Sequence, residues 1–564
     1  MKRQLKDTEI CQLEEQGCTA ENWLQIEVDD TFLANRVRNV NFYGRIEIGS
    51  LTGMVTVEEG FQRCSSIQNA TLKDTKIGND CFIENVRGYI SNYEIGDDCY
   101  ISNIGIMSTQ GTPSFGNGNV ISVLNEGGDG NVVVCDNLTA QTAWLMLHYP
   151  CVRQLAINQL KSRPQPTKGI VGNGCRIVGT GEICNVNIQP YCEIQGAAKL
   201  LNSTLLSNDD APTLIGTDVI VENSIVSLGA TITDGAKVDN CFVGESVHIG
   251  KGFSAESSLF FANSYMDNGE SCAAFCGPFS CSHHKSTLLI GGMFSFYNAG
   301  SGTNQSNHAY KMGPIHWGTL ERGSKTASGS HILWPAHIGA FSMVMGKVTE
   351  HPRLQHLPFS YVISTREKTY IVPGVNLKTV GTWRDVNKWP KRDLRPVGAR
   401  RDIIDFSFPN PYIIQFVSSG IDLLHSLVEQ QGENVDEYRF EGCYIKRHAL
   451  LQGLKYYDLA LRLSSAETPD DEWLDLSGMI APKKQIDDLI QDIEEKDITT
   501  MEEIVEILTL NNQRNRYRYV TPKTIDQEMA RNEWLALVRR DAEREFEMGD
   551  VDEQQLDEFL STVK

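Results

Sequence analysis

Aliphatic side chains recur every six positions through much of the chain, most clearly between residues 77 and 101. The residues at this step are Ile77, Ile83, Tyr89, Ile95 and Ile101. One face of an α-helix repeats about every 3.6 positions and one face of a strand about every two, so neither element explains the pattern. A step of six predicts a triangular coil, in which a short strand precedes each turn and the aliphatic side chain points inward.

The repeat continues toward the middle of the chain with the same step. Its positions there are Ile177 and Ile183, then Ile194, Leu200 and Leu206, and then Val243, Ile249, Ala255 and Phe261. Three steps make a coil of about eighteen residues, and stacked coils pair as parallel strands that stabilise one another. Cys81, Cys99 and Cys175 each follow an inward aliphatic residue by four places. We therefore expect buried thiols that serve packing.

These repeats resemble those of the hexapeptide-repeat transferase superfamily, whose fold is the left-handed parallel β-helix. The stretch at residues 337–348 resembles the last coils of such enzymes, and the whole chain is similar to a bacterial β-helix family of unknown function. The resemblance implies a mainly β protein with a left-handed parallel β-helix over residues 39–365. An insertion is expected at about 108–168, where the repeat is interrupted by a glycine-rich and then a helical pattern.

The remaining segments have other patterns. Residues 1–38 predict a short helical lead-in. Residues 366–404 predict a basic linker strap, since positions 382–401 hold seven Lys or Arg against two Asp. Residues 405–564 predict an α-helical domain, in which the first helix places one set of apolar residues on a single face. That set is Ile413, Phe416, Val417, Ile421, Leu424 and Val428.

Composition narrows the classes of function. The chain of 564 residues has a formal net charge of −21, which argues against general nucleic-acid binding because that affinity comes from cations on phosphate. It has no apolar run of membrane-spanning length, and its first residues lack the apolar core of a signal peptide. Its fifteen cysteines form no CxxC pair. We expect a cytoplasmic protein with reduced thiols and no membrane contact.

Histidine is concentrated in one region, since eight of the twelve histidines lie between residues 283 and 356. The segment is rich in Gly, Ser and amide side chains, a composition typical of ligand clefts. The candidate catalytic residues, in order of preference, are His308, His283, His284 and His316. The candidate substrate-binding residues are Asn304, Gln305, Asn307, Lys311, Arg322 and Lys325.

His308 is preferred because the stretch 308–313 resembles the region around the general base of glucosamine-1-phosphate acetyltransferases, sharing a His, a Gly and a displaced Tyr. An amine or hydroxyl that attacks a thioester must lose a proton, and imidazole titrates near neutral pH. Glycine-rich turns supply backbone N–H groups for the oxyanion that forms. The resemblance thus implies acyl transfer with histidine as the base.

The basic strap offers contacts to phosphate groups of coenzyme A or a sugar nucleotide. The candidates are Arg384, Lys388, Arg392, Arg395, Arg400 and Arg401, with Trp383 or Trp389 available to stack on a base. A surface strap that pairs with acidic residues of the helical domain is an equal alternative. Asp385 and Asp393 within the strap already neutralise part of its charge.

Together these features favour an acyltransferase that moves an acyl group from acyl-CoA or an acyl carrier to a sugar or sugar nucleotide. The expected assembly is a homotrimer, the expected co-substrate is acyl-CoA, and no metal cofactor is expected. Three alternatives stay open: a non-enzymatic scaffold or regulatory protein, a zinc-dependent lyase like the β-helical carbonic anhydrases, and a relative of sugar-nucleotide pyrophosphorylases. Fold analogy carries most of this inference.

Overall fold

The computed structural model describes residues 2–125, 130–164, 166–307, 315–464, 472–519 and 524–547. Short parallel strands stack coil upon coil, which confirms the predicted parallel β-helix with helices after it. The first coil strands are Thr19–Ala20 and Ile26–Asp29, within the segment expected to be a lead-in, because Ile26 and Val28 already fill the interior of the prism. Before them lie the strand Lys2–Gln4 and the helix Asp7–Glu15.

The strands of the coils up to residue 205 are interrupted once, by the insertion. They are Val37–Tyr43, Ile46–Ile48, Ser66–Lys73, Lys76–Ile77, Phe82–Glu84, Ile90–Ser91, Tyr93–Ile95, Tyr100–Ser102, Ile106–Ser108, Gly169–Val171, Arg176–Val178, Glu182–Ile188, Glu193–Gln195 and Lys199–Leu205. A hairpin of Met54–Glu58 and Phe61–Cys64 projects from an early coil. The insertion holds the hairpin Val120–Ser122 and Asn131–Val133 and the helices Ala140–His148 and Pro150–Ser162.

The middle coils have three regular faces. The first face contains Leu214–Ile215, Thr231–Ile232, His248–Gly250, Tyr265–Asp267 and Cys281–Ser282. The second face contains Ile220–Glu222, Lys237–Asp239, Ser254–Glu256, Glu270–Cys272 and Leu288–Ile290. The third face contains Ile225–Val226, Phe242–Val243, Leu259–Phe260, Phe275–Cys276 and Gly292–Phe294.

These coils are shorter than the predicted eighteen residues. Ile215, Ile232 and Ile249 pair in register, so each coil here has 17 residues. One of the three steps is therefore not six, and an inward position predicted by steps of six slips by one residue. The buried side chains inside the prism are Ile90, Leu205 and Phe260, where the sequence pattern predicted Tyr89, Leu206 and Phe261. Leu206 and Phe261 point outward into a second apolar core.

The predicted cysteine column is confirmed. Cys81, Cys99 and Cys175 are buried in the prism, each two residues before an isoleucine, and those isoleucines pair in register. Cys192 extends the column, and burial raises the pKa of its thiol. The Sγ of Cys81 donates to the carbonyl of Gly96 at 3.0 Å. All fifteen cysteines are free thiols, and the buried ones act as small apolar side chains.

The last coils use the strands Asn304–Ser306, Gly318–Leu320, Lys325–Thr326, His331–Leu333, His337–Ile338, Met343–Met345, Lys347–Val348 and Tyr361–Ser364. The strand Thr369–Val372 then reverses direction and pairs antiparallel with Tyr361–Ser364, which ends the coil. The later hairpins are Glu437–Phe440 with Cys443–Lys446 and Trp473–Leu476 with Met479–Pro482. The later helices are Val380–Lys388, Pro411–Gln431, Arg447–Leu463, Lys483–Glu495, Met501–Tyr519 and Ile525–Glu547.

The second apolar core lies outside the prism, against its third face. The helices of the insertion and the elements after residue 472 share it with Phe242, Phe261 and Phe275. The insertion and the C-terminal helices are therefore packed onto the middle coils. None of the helices in the described ranges combines the length and the apolar character that crossing a bilayer requires.

Candidate active site

The basic segment folds back over the first face of the middle coils. We call residues 380–404 the strap; it contains the helix Val380–Lys388 and short 3-10 turns at Trp389–Arg392 and Val397–Ala399. The amide of Asn263 on the coil donates to a carboxylate oxygen of Asp393 at 2.9 Å and accepts from the backbone N–H of Leu394 at 2.9 Å. This amide joins the strap to the coils.

A cavity of about 940 Å³ lies between the strap and the first face; we call it the strap cavity. One wall is a column of outward side chains that pair in register from coil to coil. The column contains Thr231, His248, Tyr265, Cys281, Asn298 and Lys325. The other wall is the strap, which contributes Arg384, Asp385, Lys388, Trp389, Arg392, Leu394 and Pro396. A volume in this range is typical of small-molecule sites.

His248 is held by a buried carboxylate. Its Nε2 lies 3.0 Å from Oδ1 of Asp267, whose other oxygen accepts from Nζ of Lys251 at 2.5 Å. Burial alone raises the pKa of Asp267, but the hydrogen bonds from Lys251 and His248 outweigh it and hold that pKa below its ordinary value. An ionised Asp267 fixes the hydrogen on Nε2 and leaves Nδ1 as a proton acceptor in the neutral ring.

Aromatic contacts join His248 to a second histidine. The Tyr265 ring stacks on the His248 ring with a centroid distance of 4.4 Å and meets His283 edge-on at 6.0 Å. Burial and the neighbouring His284 lower the pKa of His283, so its ring is neutral at neutral pH. Nδ1 of His283 lies 2.9 Å from Sγ of Cys281, and burial raises the pKa of that thiol to about 11. Cys281 is therefore a neutral partner of His283.

The charge on the cavity wall is positive. Among the described residues, the wall carries five Lys or Arg against three Asp. Lys325 forms an ion pair with Asp385, and Lys251 forms one with Asp267. In the described part of the chain, no carboxylate oxygen lies within 4.0 Å of the cationic nitrogens of Lys388 or Arg392. These two cations are available to an anionic ligand.

Other residues of the strap have structural roles, which corrects the prediction that all six basic residues contact phosphate. Arg395 is 4% exposed and pairs with Asp393 at 2.8 Å and Glu245 at 3.1 Å. The guanidinium of Arg401 donates to the carbonyl of Asp136 at 2.7 Å. Arg400 lies 3.6 Å from the same Asp393 and outside the cavity wall. These arginines join segments of the protein.

Asp402 completes this buried cluster. Its carboxylate accepts from the backbone N–H of Ala140 in the insertion at 2.8 Å and of Ala262 in the coils at 3.0 Å. Burial and the proximity of Asp402 raise the pKa of Glu245 to about 7, against the effect of Arg395. The strap, the insertion and the third face thus meet in one polar cluster beside the cavity.

Several predicted substrate-binding residues lie elsewhere. Arg322 is buried, pairs with Asp475 at 2.8 Å and covers the Phe296 ring. The amide oxygen of buried Gln305 accepts from the backbone N–H of Ile290 at 3.0 Å. Asn304 is on a late coil strand and Asn307 is buried. None of these side chains lines the strap cavity, because each belongs to the internal packing of later coils.

The structure separates the predicted histidines. His283 lines the strap cavity, His284 lies beside it in ring contact at 4.9 Å, and His316 lines a different cavity. His308 and Lys311 lie outside the described residues. From the predicted set, the structure brings together His283, Lys325, Arg384, Lys388 and Arg392, with Trp389 in the same wall.

The sequence argument missed His248, Lys251, Tyr265 and Asp267. These residues lie before the region rich in histidine, so crowding gave no signal for them. The signal that finds them is the length of the coil. His248 and Tyr265 are 17 residues apart and pair directly, so a correct register stacks them on the first face.

A metal centre has little support in the described part of the protein, where no three His, Cys, Asp or Glu side chains converge in an arrangement that would hold an ion. The zinc lyase alternative requires three histidines around one metal. His248 and His283 instead contact Asp267 and Cys281.

Comparison with known proteins gives a family without a known activity. Residues 2–428 match the family described as Domain of unknown function (DUF4954), and residues 457–531 match Domain of unknown function (DUF6819). A relative in Treponema pallidum (strain Nichols), described as an uncharacterized protein, is 25% identical over 470 residues. The alignment covers 77% of this chain and 62% of that relative.

Proposed function

The chain belongs to the DUF4954 family of unknown function, and we propose that it is an acyltransferase whose active site is the strap cavity. The acyl donor is acyl-CoA or an acyl carrier, and the acceptor is a sugar phosphate or sugar nucleotide. One observation carries this proposal: a carboxylate-held histidine and two cations without carboxylate partners among the described residues share one cavity. Proton transfer and anion binding are the two tasks that such a reaction needs.

His248 is the proposed general base. Its Nδ1 takes the proton of the attacking hydroxyl or amine while Asp267 stabilises the charged ring that forms. The acceptor atom bonds to the thioester carbonyl carbon, the carbon–sulfur bond breaks, and the proton passes to the leaving thiolate. His283, neutral at neutral pH, is the second candidate for this role.

The strap binds the anionic part of the substrate. Lys388 and Arg392 provide charge-assisted hydrogen bonds to phosphate, each worth about 1.5–3 kcal/mol when the partner is charged. Trp389 and Tyr265 offer aromatic surface on opposite walls of the cavity. A phosphate held by the strap places the rest of the ligand against the column that contains His248.

The test begins with a thermal-shift screen of the full chain against acyl-CoA compounds, sugar phosphates and sugar nucleotides. A ligand at about a hundred times its Kd stabilises the folded protein by about 2.7 kcal/mol. Turnover is then followed as free thiol released from acetyl-coenzyme A with the acceptors that bind.

We expect His248→Gln to lower turnover about a hundredfold or more with little change in Tm, because a positioned base contributes about that factor. His425→Gln is the matched control, since His425 is exposed on the helix Pro411–Gln431. Full turnover in His248→Gln, or a screen in which no acyl-CoA and no sugar phosphate stabilises the chain, would contradict the proposal.

A further inference from the structure

A second cavity, of about 400 Å³, lies on the late coils. Its wall includes His316, Trp317, His337 and Arg353. His337 pairs with Thr319 on one side and with Arg353 on the other, so these residues form an outward column. Residues 324–326 separate this part of the coil from Lys325 of the strap cavity only in sequence, and the two cavities share no lining residue.

This cavity also contains a histidine held by a buried carboxylate. Nε2 of His337 lies 2.5 Å from Oε1 of Glu321, and Oε2 of Glu321 accepts from the Tyr412 hydroxyl at 2.5 Å. Glu321 and Tyr412 are both buried. Burial and the nearby Glu321 raise the pKa of Tyr412, which keeps that hydroxyl protonated as the donor. The helix Pro411–Gln431 thus fixes the orientation of the His337 ring from behind.

The cavity combines an aromatic surface with cationic side chains. Trp317 is 45% exposed, which is unusual for so large an apolar ring and leaves its face free to stack. Arg353 is exposed, and in the described ranges no carboxylate oxygen lies within ion-pair distance of it. His316 is anchored by its backbone N–H, which donates to the carbonyl of Asn307 at 2.8 Å.

From this juxtaposition we infer that the second cavity binds a nucleoside phosphate. The base stacks on Trp317, and the phosphate binds the guanidinium of Arg353 and the ring of His337. Stacking on an exposed indole accepts any heterocyclic base, while guanidinium and imidazole groups recognise the anion. The volume suits a ligand of this size. This inference stands apart from the acyltransferase proposal, because it uses different residues.

The test uses the full chain and adenosine 5′-monophosphate, followed by the change in tryptophan fluorescence and by calorimetry. We expect saturable binding that weakens about tenfold to a hundredfold in Arg353→Ala, the usual loss for a charge-assisted hydrogen bond. Arg366→Ala, an exposed arginine in the turn after the last coil, is the matched control and should bind normally. Trp317→Phe should remove most of the fluorescence change and weaken binding seen by calorimetry.

Two further measurements decide between sites and ligands. Lys388→Ala changes the strap cavity alone and should leave the affinity for adenosine 5′-monophosphate unchanged. If Lys388→Ala abolishes binding and Arg353→Ala does not, the nucleotide occupies the strap cavity and this inference is wrong. Absence of saturable binding, or inorganic phosphate binding as tightly as the nucleotide, would also overturn it. None of these outcomes depends on whether the chain has transferase activity.

Discussion

The two halves of the strap look alike in sequence and differ in the structure. In the outer half, residues 384–392, Lys388 and Arg392 face a cavity. In the inner half, residues 393–402, Arg395 is buried between Asp393 and Glu245. The comparison teaches that the position of carboxylates decides the role of a basic residue. A buried guanidinium requires paired anions, whereas a cation over a concave surface remains available to a ligand.

The largest expected effect concerns the inner half. Arg395→Ala leaves Glu245, Asp393 and Asp402 as buried carboxylates without their cation. We expect the free energy of unfolding to fall by about 3–5 kcal/mol, the usual cost of breaking a buried pair from one side. Urea denaturation measures this change. Lys391→Ala, at an exposed position on the outer half, should change stability by less than about 0.5 kcal/mol. Equal stability of the two variants would erase the distinction between the halves.

A smaller effect is expected when the outer half is changed. Lys388→Ala and Arg392→Ala should each weaken the binding of coenzyme A by about tenfold to a hundredfold and leave the unfolding midpoint unchanged. Calorimetry at several salt concentrations is the measurement, since each lost phosphate contact also reduces the dependence of Kd on salt. Lys391→Ala again serves as the control. Unaltered affinity in both variants would show that the cations of the outer half have no ligand.

The smallest effect is a dependence on pH. Burial lowers the pKa of Lys388 from the ordinary 10.5, so the ammonium group loses its proton at a lower pH than an exposed lysine does. Only the protonated form attracts phosphate, and binding of coenzyme A should therefore weaken as pH rises toward that lowered pKa. Lys388→Arg should bind without this decline, because arginine keeps its charge. The same profile in both proteins would assign the decline to another group.

The sequence predicted the fold better than the site. A step of six identified the parallel β-helix because each inward side chain must be aliphatic or small. It misplaced Leu206 and Phe261, since the coils have 17 residues and the extra apolar positions pack against the insertion. A periodic pattern reports the average coil, whereas the outward packing of one residue depends on elements that lie far away in the chain.

The candidate site was predictable only in part. Crowding of histidine and lysine pointed to His283 and Lys325, and the basic composition pointed to the outer half of the strap. Asp267 gave no signal, because its role depends on stacking with the coil that holds His248. The alternative in which the strap pairs with acidic residues describes the inner half, although its partner Glu245 belongs to the coils and not to the helical domain.

The strap also determines when the strap cavity can form during synthesis. Arg395 and Glu245 are separated by 150 residues, and the ribosome adds about 5–20 residues per second. The coil that carries His248 therefore leaves the ribosome roughly ten to thirty seconds before the strap that covers it. Coils can stack on their neighbours as they emerge, so the first face is in place early and open to water. The last step of assembly closes the cavity, and a chain cut short before residue 384 would have the column of His248 and no anion-binding wall.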